Sequence, residues 1–296
     1  MLVYIASDVR SGSTLLDMLL GGHSEIVSIG ELQFLKDHFR RQGIGYSWNW
    51  TCTCGAQFED CGFWSAVDYV TEEKIGSRIA SLETWVRRSG KTVIALILGN
   101  RQLSMVSRFV PRIREMIQAG EACWSIVDSI MRVSGKTIVV DSSKNAEQFR
   151  FLYFWRPDCL RLIHLVRDGR AVVYSKMNRG PESCRRASCG WVSESLKILL
   201  MKAWLPEGKT LQLKYEDLCA DPQGELDKIT GFLDVKPEPA NFSKEDRHNV
   251  CGSPHRFDKE NTEIKLDDRW KRKMSRGDRF VFFVIGGWLN RVLGYV

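Results

Sequence analysis

The chain has 296 residues, 44% of them hydrophobic and 27% charged. That composition excludes a disordered protein, and the length allows a sizeable core in one large α/β domain or two small ones. Its 43 Lys+Arg against 36 Asp+Glu leave a diffuse net charge of +7, which suits a small anionic substrate or an anionic surface and gives no footing for a nucleic-acid partner.

In chain order, Leu2 to Ala6 is an apolar run of strand length, too short for the apolar region of a secretory signal. It reads as the first core strand, and the expected compartment is a reducing cytoplasm with mostly free thiols. Ser7 to Ser13 is small, polar and glycine-containing; Thr14 to Leu20 is helical, stopped by Gly21-Gly22; Ile26 to Ile29 is a second strand. Such a βαβ crossover predicts a parallel sheet. From about 34 to 134 the strand signal fades, and amphipathic stretches such as Glu72 to Arg88 and Val110 to Ile117 predict a mainly helical insertion into one domain spanning 1–296. Strands return at Thr137 to Asp141, Leu160 to Val166 and Thr210 to Lys214, with helices at Arg170 to Met177 and Gly224 to Leu233. Phe280 to Leu289 is apolar but about half of a transmembrane length, and reads as a terminal helix packed on the body.

Arg10-Ser11-Gly12-Ser13-Thr14 lies between the first strand and its helix. Unpaired N–H groups at a helix N-terminus favour an anion. Gly12 permits close backbone approach, Ser13 and Thr14 add hydroxyl donors, and Arg10 adds a planar cationic fork. Against the nucleoside-triphosphate loop G-x-x-x-x-G-K-[ST], serine replaces the lysine that reaches the β/γ-phosphates. This argues against ATP or GTP as donor. A second signal begins at Arg167, which follows the strand Leu160 to Val166; Ser175 comes eight residues later, in the next helix. Ligands of open parallel sheets gather at such strand ends, so Arg167 and Ser175 can hold a second anion. His164, inside the strand, reads as a core histidine.

These two motifs resemble those of the sulfotransferase family. Arg10-Ser11-Gly12-Ser13-Thr14 is similar to its 5′-phosphosulfate motif, with the wider match running through Gly21-Gly22-His23-Ser24-Glu25 to Gly30-Glu31. Arg167-Asp168-x-Arg170-x-x-x-x-Ser175 is similar to its 3′-phosphate motif. The layout looks closest to the protein-tyrosine and carbohydrate branches. The resemblance implies a single P-loop-like three-layer α/β domain and 3′-phosphoadenosine 5′-phosphosulfate (PAPS) as donor. It also implies a hydroxyl-bearing acceptor: carbohydrate, lipid, tyrosyl peptide or small metabolite. Arg10 to Thr14 would cradle the phosphosulfate, and Arg167, Ser175 and Arg179 the 3′-phosphate. Glu31, after the second strand, would be the general base. Lys144, where Val139 to Ser143 runs into a polar turn, would stabilise the leaving group. Sulfuryl transfer needs positioning and charge stabilisation, with no catalytic metal. Tyr215 resembles a tyrosine that contacts the nucleotide. Ser253, Arg256 and Arg269 resemble a loop that closes over the donor, which implies a catalytic role for Ser253 and donor contacts for Arg256 and Arg269, although relatives often carry Asn where Ser253 stands.

Alternatives remain: a P-loop-like ATP-dependent kinase, or a non-catalytic nucleotide-binding protein of the same fold. Cys52, Cys54 and Cys61 supply three ligands where closed zinc sites need four. A distant Cys184 or Cys189 would complete the set; free thiols or a disulfide are equal readings. Trp48, Trp50, Phe63 and Trp64 are candidates to stack on an acceptor ring or to fill a core.

Overall fold

The computed structural model describes residues 1–40, 51–84, 90–203, 205–241, 247–257 and 264–296. Five strands, β1 (Leu2–Ala6), β2 (Ile26–Ser28), β3 (Ile138–Lys144), β4 (Leu160–Val166) and β5 (Thr210–Lys214), form one sheet in the order β2-β3-β1-β4-β5. Every pairing is parallel. The first crossover skips a place, so β3 lies between β1 and β2.

All five residues of β1 are buried, as a strand covered on both faces requires. Its side chains alternate between two cores. Leu2, Tyr4 and Ala6 join a cluster with Trp64, Trp124 and Phe149; Val3 and Ile5 join another with Leu16, Leu19 and Ile229. The second face is covered by α1 (Ser13–Leu20), α10 (Tyr215–Ala220) and α11 (Pro222–Leu233).

The first face carries the segment between β2 and β3: α2 (Leu35–Arg40), α3 (Gly62–Ile75), α4 (Gly90–Val93), α5 (Asn100–Ser107) and α6 (Pro111–Ser134). It is helical as expected, but its boundaries differ. The helix expected over Glu72 to Arg88 starts earlier and stops at Gly76, which caps α3 in the left-handed conformation (φ 69°); residues 85–88 lie outside the described residues. The helix expected over Val110 to Ile117 runs on to Ser134 through Gly120. A Cβ at Gly120 would stand 2.7 Å from the Phe151 carbonyl oxygen. The glycine therefore lets α6 approach α7 (Ala146–Trp155) closely.

A third cluster joins α8 (Gly169–Met177), α9 (Cys184–Lys202), α12 (Trp270–Lys273) and α13 (Arg276–Val292) around Trp191 and Phe282. Helix α13 packs Phe282 and Leu289 inward and leaves Phe280, Phe283 and Trp288 exposed. No described helix is long and apolar enough to cross a membrane.

Candidate active site

Parallel strands deliver all their carboxyl ends to one edge, and each of the five ends carries a residue singled out in the sequence. The cradle follows β1, Glu31 follows β2, Lys144 closes β3, Arg167 follows β4 and Tyr215 follows β5.

The cradle is built on unusual backbone. Arg10 and Gly12 have φ of 74° and 89°, a left-handed region that Gly enters freely and Arg at a cost. A Cβ at Gly12 would lie 2.3 Å from Tyr215 Cδ2, so only glycine fits between α1 and the tyrosine ring. Ser11 and Ser13 are buried, and Thr14 Oγ1 accepts from the Ser253 backbone N–H at 3.3 Å. Asp8 anchors the loop: its carboxylate accepts from Val9 N (2.7 Å) and pairs with Lys176 (2.6 Å), the neighbour of Ser175 on α8.

Glu31 and Lys144 meet directly, with Nζ 2.6 Å from Oε1 and both side chains largely buried. Gln33 Nε2 donates to the other Glu31 oxygen (3.3 Å) and to the Ser143 carbonyl (2.9 Å). The backbone positions both members of the pair. Gly30, at φ 77°, passes so close to Val250 that a Cβ would sit 2.1 Å from its carbonyl oxygen; that oxygen accepts from Glu31 N at 2.9 Å. Lys144 itself has φ 70°. Beneath them, Asp141 Oδ1 accepts from Leu32 N (3.2 Å), Ser143 N (2.9 Å) and Ser143 Oγ (2.5 Å). It thereby ties β3 to the residue after Glu31. Full burial pushes the Asp141 carboxyl up to about 7, against the pull of those hydrogen bonds. Burial likewise raises Asp17 on α1 to about 6, where Asn249 Nδ2 donates to it at 2.7 Å.

At the other end, Arg167 is almost fully buried. Its Nη1 donates to the Arg10 carbonyl (2.8 Å), its Nη2 to the Asp267 carbonyl (2.6 Å), and its guanidinium lies over the Tyr215 ring at 4.4 Å. The Asp267 carboxylate stands 3.5 Å from Arg167 Nη2 and is chelated by Arg269 at 2.7 and 3.0 Å. Hydrogen bonding from Arg269, with the nearby Arg167 charge helping, holds the Asp267 carboxyl down at about 2. Asp168 caps α8 by accepting from Arg170 N and pairs with the Arg170 guanidinium. Glu216 accepts from Asp168 N (3.1 Å) and from Tyr295 OH (2.6 Å). The acidic residues of both motifs are thus structural.

The structure brings Arg10, Gly12, Arg167, Tyr215 and Arg269 into one connected group, and Thr14 with Ser253. Ser175 is half-buried on α8, and Arg179 lies exposed just past its end; neither is tied to that group by a hydrogen bond or ion pair among the described residues. Arg256 sits elsewhere: buried, donating to the Thr51 carbonyl (3.4 Å) and lying over Phe257. Burial lowers it to about 10, countered by neighbours that include Glu31 and Asp17. His164 is buried within β4, and burial together with Lys202 takes its imidazole down to about 3, as a core histidine requires. Trp64 is fully buried and Phe63 stacks on His248, so both are packing residues; Trp48 and Trp50 lie outside the described residues.

Neither Cys184 nor Cys189 reaches the cysteine cluster: both lie on α9, where the Cys184 thiol donates to the Asp278 carbonyl of α13. Sequence reasoning passed over Gln33, Asp267, Asn249 and His248. Gln33 had a signal in its spacing of two from Glu31; the others lie far along the chain from their partners.

Strand order, cradle and shared carboxyl edge define an α/β protein of the P-loop-like class. Residues 3–239 match the profile of the sulfotransferase family, and the chain belongs to that family. No curated protein matches it. Among solved structures it is similar to the sulfotransferase domain of the Synechococcus PCC 7002 olefin synthase, with 20% identity, a TM-score of 0.62, and coverage of 100% of this chain and 94% of that one. The sulfotransferase domain of the curacin biosynthetic pathway is similar at 19% identity and TM-score 0.55, covering 97% and 96%. A Mycobacterium avium sulfotransferase follows at 11% and 0.51, covering 99% and 77%. At these identities the likeness is one of fold.

Proposed function

We propose that the chain transfers the sulfuryl group of PAPS to an acceptor hydroxyl. The observation that carries this reading is the Glu31–Lys144 pair, 2.6 Å apart, on the strand edge that also presents the cradle and Arg167. The residues fit the donor. A strained, close-approach turn at Arg10 to Gly12 suits a phosphosulfate, and a buried arginine stacked on an aromatic ring suits a nucleotide phosphate. Domain bounds of 1–296, with 34–134 as an insertion, go with this reading.

Glu31 accepts the proton of the acceptor hydroxyl as its oxygen forms a bond to sulfur. The bond from sulfur to the bridging phosphate oxygen breaks in line, and Lys144 neutralises the charge left on that oxygen. The direct contact between the two side chains means that Lys144 must leave Glu31 to do so. Gln33 keeps the carboxylate in place meanwhile. Ser253, bonded through its N–H to Thr14, closes over the cradle. Arg269 and Arg179 supply charge at the 3′-phosphate end. Arg256, on the Glu31 side, supports the acceptor end instead. The acceptor remains any of the four hydroxyl classes named above. A reducing, cytoplasmic setting goes with this reading.

A thermal-shift titration tests the donor. 3′-Phosphoadenosine 5′-phosphate is expected to raise Tm and ATP to leave it unchanged. No shift with the former would remove the PAPS reading; a shift with ATP alone would favour a kinase.

A further inference from the structure

Cys52, Cys54, Cys61 and His248 come from chain stretches nearly two hundred residues apart, yet their ligand atoms all lie within 4.8 Å of one another. We propose that they form a closed, structural zinc site that clamps the turn before α3 to the segment entering the active site.

The distances carry this. Cys52 Sγ and Cys54 Sγ stand 3.6 and 3.7 Å from Cys61 Sγ, and His248 Nδ1 stands 3.2 and 3.6 Å from Cys61 Sγ and Cys52 Sγ. A zinc ion with Zn–S of about 2.3 Å and Zn–N of about 2.0 Å at a tetrahedral centre sets edges of roughly 3.8 Å between sulfurs and roughly 3.5 Å between sulfur and nitrogen. These four edges are within about 0.3 Å of a tetrahedron of that size, and all six lie within 4.8 Å. A disulfide would need about 2.05 Å. Three thiolates and an imidazole are a soft donor set that selects zinc over oxygen-seeking cations. Four protein ligands leave no open position, so the ion holds structure and touches no substrate.

The surroundings are built to hold the ligands. Cys52 N donates to Ala56 O (3.0 Å) and Gly55 N to Cys52 O (2.9 Å), closing a tight turn in which Gly55 takes φ 95°. Cys61 is the N-cap of α3, where the helix dipole favours a thiolate. The His248 ring is fixed by Phe63, stacked at 4.6 Å and 7°, and its carbonyl accepts from Trp64 Nε1 at 2.9 Å. Thr53 Oγ1 donates to Arg247 O (2.7 Å) and accepts from Asn249 N (2.9 Å). Such outer contacts orient metal ligands. Two residues beyond His248, Val250 holds the backbone of Ile29 and Glu31. The ion would therefore brace the strand end that carries Glu31, whichever donor the enzyme uses.

Elemental analysis of the purified chain tests this, with cobalt substitution as a second readout. About one zinc per chain is expected, and the Co(II) form should show the visible bands and thiolate charge transfer of a tetrahedral, sulfur-rich site. Cys54→Ser, at an exposed ligand, and His248→Ala should each weaken zinc binding by at least about tenfold, while Cys189→Ser leaves it unchanged. Zinc-free protein after expression with added zinc would overturn the proposal. So would full metal retention in both ligand variants, an oxygen-type cobalt spectrum, or a disulfide within the cluster by mass spectrometry of the unreduced protein.

Discussion

The strand-end site and the cysteine cluster are both assembled from distant parts of the chain, but they differ in how. At the carboxyl edge of the sheet, the cradle, Glu31, Lys144, Arg167 and Tyr215 each sit at or just after a strand end, so the sheet sets where they lie. Arg10 and Arg167 are 157 residues apart and still touch, because β1 and β4 are neighbours. The four residues of the cysteine cluster lie outside the strands. His248 reaches the three thiols because the backbone around Thr53, Trp64 and Val250 holds it there. Strand ends make chemistry readable; loop-to-loop contacts hide it.

Three substitutions sharpen that contrast. The largest effect is expected from Glu31→Gln, which keeps the size of the side chain and removes the base. Sulfate transfer from PAPS should fall by about 10²–10⁴-fold, with nucleotide binding little changed. Activity that survives the change would show that the β2 strand end is not where the proton goes.

Gly12→Ala comes next. The new methyl meets the Tyr215 ring at 2.3 Å on a backbone of φ 89°, and the ring is itself held under Arg167. Loss of about 1–3 kcal/mol of stability and of nucleotide affinity should appear together in denaturant titration and thermal shift. Normal stability and binding would mean that the cradle is looser than its contacts imply.

The smallest effect is Asp141→Asn, read through pH. The folded carboxyl is raised to about 7 from an ordinary 3.8, so the unfolded chain releases its proton first. Stability is favoured below about 4 and is lost as pH rises through 7. Asn keeps the oxygen that accepts from Leu32 and Ser143. The Tm of the variant relative to the parent should therefore grow by several degrees between pH 5 and 8. A constant difference would show that Asp141 does not titrate in this range.

The legible part of the fold follows from burial. β1 and β4 begin and end where their apolar runs do, since a strand buried on both faces tolerates little else; β5, at the sheet edge, is mostly half-buried. The insertion misled because its apolar residues continue past Gly76 at helical spacing, while the chain turns there. In the site, the cradle and the strand-end residues were legible as types in order. What the sequence withheld was their partners. Nothing marks Asp267 as the counter-ion of Arg167 and Arg269, because it lies in a loop with no periodicity. Nor could spacing pick His248 over the two cysteines of α9.

Asp267 also bears on how the enzyme turns over. Its carboxylate lies between two arginines that a phosphate would otherwise claim. Under the proposed reading, donor binding at Arg167 would be an exchange of anions, its affinity the difference between two ion pairs. The same carboxylate would compete for the arginines once transfer is done, so on that reading the group that weakens binding also speeds departure of the spent nucleotide.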